Sequence, residues 1–125
     1  MNPGCWSAEG EGWRLAWEPA RQPFSVLIGG EGWAAELTTA EALQLRQVIA
    51  SLLEQREAIA SGLMAEELIT LECERDCCWM SIEGNRGEWS LRFVLSPGAW
   101  QRGIEGHWPS PASRAWAEAL LALPL

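Results

Sequence analysis

The chain has 125 residues, 48% of them hydrophobic, enough for one domain with a buried core and too few for two ordinary ones. Its 17 acidic residues outnumber 9 basic ones, all arginines, for a net charge of −8; this disfavours nucleic-acid phosphates and anionic membranes as partners, leaving a protein or a small ligand. No run reaches the roughly 20 apolar residues that span a bilayer, and the start Met1-Asn2-Pro3-Gly4-Cys5-Trp6 lacks the basic and apolar regions of a signal peptide, so a cytoplasmic protein is expected.

Residues 1–12 mix Gly, Pro, Ser and Glu without a period, and a loosely ordered arm is expected there. Residues 13–18 alternate, with Trp13, Leu15 and Trp17 on one face of a strand that Pro19 ends. A second strand follows over 24–28, with Phe24, Val26 and Ile28 sharing a face. Gly29-Gly30-Glu31-Gly32 matches neither a P-loop nor a dinucleotide fingerprint and precedes a strand, so it is a hairpin turn. The third strand, 33–37, turns Trp33, Ala35 and Leu37 inward.

The longest helix is predicted over 38–61. At 100° per residue, Ala42, Leu45, Val48, Ile49, Leu52 and Ile59 form one stripe and Gln44, Gln47, Ser51, Glu54, Gln55 and Glu57 the opposite one. Leu43 falls off the apolar stripe and Arg56 falls on it. Thr38 with Glu41 three residues on reads as a capping box, and Gly62 suits a left-handed stop. Strands before and after this helix are expected to pack on its apolar face.

The second half repeats the pattern. Residues 67–74 alternate, with Ile69, Leu71 and Cys73 on one face; Arg75-Asp76 turns; 77–83 returns; and residues 84–87 turn again. Residues 89–95 put Trp89, Leu91, Phe93 and Leu95 inward, and 100–108 read as a short strand with Arg102, Ile104, Gly106 and Trp108 along one face. Ser110 as N-cap and Pro111 as first helical residue open a second helix running to Leu123, with Trp116, Ala119, Leu120 and Leu123 at helical spacing. The chain thus divides into strands-plus-helix units at 13–61 and 67–123 of a single α+β domain with antiparallel sheets.

Several stretches carry a family resemblance: Gly12-Trp13-Arg14-Leu15, Leu27-Ile28-Gly29-Gly30-Glu31 with Trp33, Glu36-Leu37-Thr38, and Arg102-Gly103-Ile104-Glu105-Gly106-His107-Trp108-Pro109. Over nearly its whole length the chain resembles a small cyanobacterial family of unknown function, family 1818 among the domains of unknown function. That resemblance implies a fold similar to the single-stranded-DNA-binding regulators of the Whirly and transcriptional positive cofactor 4 type. There, two strand-meander-plus-helix units exchange helices across a pseudo-two-fold, and one chain here supplies both units. Whirly-type proteins bind single strands through a lysine-containing strand motif, and this sequence has no lysine, so no site residue transfers.

Cys73, Cys77 and Cys78 with His107 present four soft donors, but without paired C-x-x-C spacing; reduced thiols packed in the fold are expected, with no metal and no cofactor. His107 is the single histidine, no nucleophile elbow or H-E-x-x-H occurs, and the carboxylates are dispersed, so the chain is not expected to be an enzyme. Nine tryptophans beside nine arginines leave a binding face as the best candidate site. Trp13 with Arg14, and Arg102 with Glu105 and Trp108, are its expected residues. The expected function is a non-enzymatic interaction module binding a protein or small ligand through that face, with single-stranded DNA or RNA as the alternative. With both units in one chain, a monomer is expected.

Overall fold

The computed structural model describes residues 4–98 and 101–125. Four antiparallel strands form the first sheet in the order β1 (Trp6–Gly10), β2 (Trp13–Trp17), β3 (Val26–Gly30), β4 (Trp33–Leu37), and helix α1 (Thr39–Ala60) follows. The second sheet repeats this with β5 (Ile69–Arg75), β6 (Cys78–Gly84), β7 (Trp89–Leu95) and β8 (Ile104–Trp108), followed by α2 (Ala112–Ala122). The architecture is α+β, with two similar units in one chain.

The predicted arm over 1–12 is corrected: Trp6–Gly10 is β1, paired residue for residue with β2 from Trp6 opposite Trp17 to Gly10 opposite Trp13. Residues 1–3 of that arm, and Trp100 at the expected start of the last strand, lie outside the described residues. β1 was hidden because Ala8 and Gly10, which face inward beside Trp6, are too small to make an apolar alternation; its stability comes from the backbone ladder and the Trp6–Trp17 end. The turn after it reads Gly10-Glu11-Gly12-Trp13, and Gly30-Glu31-Gly32-Trp33 joins β3 to β4. Gly12 and Gly32 sit at φ 79° and 81°, conformations that glycine adopts without penalty.

Helix α1 begins as predicted. Thr38 Oγ1 accepts from the Glu41 N–H at 3.1 Å while Glu41 Oε1 accepts from the Thr38 N–H at 2.8 Å, closing the capping box. Its end differs. Ser61 is right-handed, Gly62 is absent from the glycines at positive φ, and the last carbonyls are satisfied by short turns from Gly62 and Leu63 back to Ile59 and Ala60. The second helix starts one residue late: Pro111 is the N-cap and Ser110 makes no capping bond.

The helices cross over. α1 lies mainly on β5 and β6 of the second sheet, and α2 lies on β2 and β1 of the first. Strands before α1 therefore do not take most of its apolar face; the following sheet does. Ala42, Leu45, Val48, Ile49 and Leu52 are buried there, whereas Ile59 is 39% exposed. Arg56 occupies the stripe, donating to the Arg86 carbonyl with its guanidinium 5.8 Å from the Trp89 ring centre. Burial lowers its pKa, with Arg114 adding repulsion and Glu57 opposing. Arg46 of α1 donates to the Leu123 carbonyl at 2.6 Å, tying the end of α2 to the first helix. Among the described residues no helix is long and apolar enough to cross a membrane.

Candidate functional site

The five residues expected to form one binding face do not share one. Trp108 is fully buried: its indole stacks on Trp116 at 3.8 Å between ring centres, packs against Phe93 and Trp33, and donates to the Gly29 carbonyl at 2.9 Å. A satisfied indole at the junction of the two units is a core element, so it is withdrawn from the binding set. Trp13 faces inward and is half-buried, with its ring over Gly10. Arg14, its neighbour, is exposed on the opposite face, lying across Gly29. Glu105 is exposed on the outer face of β8, and the ion pairs among the described residues, Arg21–Glu36 and Arg102–Glu41, do not include it. Adjacent strand residues point to opposite faces, which separates Trp13 from Arg14 and Glu105 from its inward neighbours.

The soft donors also part company. Cys73 and Cys78 face inward on β5 and β6, while His107 is exposed on the outer face of β8 at the far edge of the sheet. Among the described residues no three His, Cys, Asp or Glu side chains are grouped to hold a metal. Burial pushes the Cys78 thiol up to about 12, with Cys73 and Cys77 adding to it, so it stays protonated and inert. All four cysteines are free thiols, and Cys77 in the β5–β6 turn directs its sulfur to the Pro97 carbonyl at 3.7 Å.

Arg102 remains, and it lines a cleft of about 500 Å³. The start of α1 supplies Thr38, Ala40, Glu41 and Gln44; Cys77, Leu95 and Pro97 come from the second sheet's end, with Phe24 and Gln101 completing the wall. Capping positions Glu41, because the glutamate that closes the box must sit in the first turn. Its carboxylate then accepts a forked pair from Arg102, at 2.7 Å and 3.2 Å. Arg102 also donates to the Glu36 carbonyl at 2.6 Å and lies 4.6 Å from the Phe24 ring centre. One guanidinium thus joins the segment before β8, the end of β4 and the start of α1.

The charges on this wall cancel. What remains open is apolar surface from Phe24, Ala40 and Pro97, and two side-chain amides, Gln44 and Gln101, that have no hydrogen-bond partner among the described residues. The geometry can hold an uncharged, partly aromatic small molecule and fix its polar end by amide hydrogen bonds; among the described residues it pairs no nucleophile with a base. Phe24, Gln44 and Gln101 escaped sequence reading because they come together only when α1 docks beside the second sheet. Glu41 was legible as a cap and illegible as a ligand to Arg102.

Residues 8–123 match the family model described as Domain of unknown function (DUF1818). The chain is also similar to a solved protein from Prochlorococcus sp. NATL2A, described as a protein with unknown function from the DUF155 family. That likeness has a TM-score of 0.88 at 37% identity, covering 94% of this chain and 97% of the other. No curated protein matches this chain significantly.

Proposed function

Starting from the premise that the chain belongs to the DUF1818 family, a family of unknown function, we propose that it is a non-enzymatic binding module whose site is the cleft beside the start of α1. The observation that carries this reading is a mostly apolar cleft of about 500 Å³ with a neutralised Arg102–Glu41 pair and two amides unengaged among the described residues. That volume falls within the range of small-molecule sites, and a few convergent polar groups on an apolar wall give orientation. Its ligand is a neutral small organic molecule with an aromatic or branched apolar body.

A screen of neutral aromatic amides by protein-observed NMR tests it. Binders are expected to move the side-chain amides of Gln44 and Gln101 and to be lost in Ala40→Phe, which fills the cleft from an exposed helix position without touching the core. Binders that persist unchanged in Ala40→Phe, or a screen whose binders map elsewhere, would overturn the assignment.

A second reading, single-strand nucleic-acid binding, draws support from the exchange of helices between the two sheets, which is what the resemblance to the Whirly-type regulators implies. The charge of −8 opposes it. Intrinsic tryptophan fluorescence titrated with short single-stranded DNA at low salt decides: saturable, salt-sensitive quenching supports this reading, and a flat response removes it.

A further inference from the structure

The second sheet has one face under the helices and, among the described residues, one face bare. On the bare face the register sets Glu72, Ser81, Arg92 and His107 in one row, and Glu74, Trp79, Val94 and Glu105 in the next. Glu83 lies on the same face of β6. Glu72, Glu74, Glu83 and Glu105 are all exposed, and Arg92 is the one arginine among them. The ion pairs of the described residues involve none of these carboxylates.

Trp79 sits in the middle of this charge. It is half-buried on an interior strand, pointing away from the core that Cys78, Met80 and Ile82 enter. Among the described residues the guanidinium–aromatic contacts are at Trp89 and Phe24, so the Trp79 ring carries no cation of its own. An indole face is the strongest aromatic partner for a cation. Surrounding carboxylates steer a positive chain toward it and repel phosphates, and the strand ladder holds the whole array in place before binding.

We propose that this face docks a cationic, arginine- or lysine-rich segment of a partner protein, with one cationic group on the Trp79 ring and its neighbours paired with Glu72, Glu74 and Glu105. The charge complementarity of the face selects that occupant. The site is separate from the cleft, so either can fail alone.

The test is an NMR titration of the full chain with a short arginine–glycine peptide, with single-stranded oligothymidylate as the competing class. The Trp79 indole signal is identified by its loss in Trp79→Phe. The peptide is expected to shift that signal and the amides of Ser81 and Val94 saturably, weakening as ionic strength rises to physiological values. The combined variant Glu72→Gln, Glu74→Gln, Glu105→Gln should bind about tenfold more weakly, each exposed pair contributing a few-fold. Glu9→Gln with Glu31→Gln, at the first sheet, should bind as the parent does. Equal affinity in the triple variant, shifts centred away from Trp79, or a Trp79 response to the oligonucleotide and not to the peptide would each overturn the proposal.

Discussion

Trp108 shows how far a side chain's type can mislead about its task. Beside Arg102 and Glu105 in sequence it reads as part of an aromatic–cationic platform, yet it lies with Trp116, Phe93 and Trp33 where the two units meet. Gly106, two residues before it, shows the same crowding: a Cβ there would come within 2.6 Å of both Phe93 and Trp33. Trp108→Ala should therefore cost about 3–5 kcal/mol of folding stability, through the lost packing and the orphaned Gly29 carbonyl. Glu105→Ala, exposed on the other face, should stay within about 0.5 kcal/mol. Urea unfolding of both variants checks this; a mild Trp108→Ala with lost ligand binding would return that residue to a surface role. The alternation read over 100–108 correctly put Trp108 with Ile104 and Gly106, but β8 begins only at Ile104 and leaves Arg102 outside the strand. What no local pattern discloses is which face of an isolated strand the rest of the chain will cover.

Among the elements, those carrying their own signals were the ones the sequence disclosed. α1 has a stripe, a capping box and a length of 22 residues, and it lies within one residue of prediction at each end. β1 has none of these; its turn does share the Gly-Glu-Gly-Trp sequence of the β3–β4 hairpin. The helix starts give a direct contrast between two hydroxyls read alike. Thr38 accepts the Glu41 N–H, whereas Ser110 caps nothing because Pro111 takes the N-cap position. Thr38→Ala is expected to lower stability by about 1 kcal/mol and Ser110→Ala to leave it within about 0.5 kcal/mol, as read from thermal or urea denaturation. The Thr38 change also loosens Glu41, so the Arg102 segment should gain hydrogen-exchange rate in Thr38→Ala alone.

At the scale of the whole molecule the exchange of helices decides what can fold separately. Each unit contains its own four strands and a helix, a pattern that on its own would allow two small independent domains. The packing denies that arrangement: Leu45, Val48, Ile49 and Leu52 of α1 are buried chiefly against β5 and β6, while the inner face of β1 and β2 is covered by α2 from the other end of the chain. The Trp108–Gly29 hydrogen bond and the Arg46–Leu123 hydrogen bond add links across the same divide. A fragment spanning 1–62 would hold a sheet without its covering helix and a helix without its sheet, and 63–125 the converse. Neither should show a cooperative thermal transition alone, whereas an equimolar mixture should recover one, since each fragment supplies the apolar face the other lacks. Calorimetry on the fragments and on the intact chain tests this. A sharp transition from either fragment alone would mean that its sheet and helix can close on each other, and that the exchange is a preference of the joined chain and not a requirement of the fold.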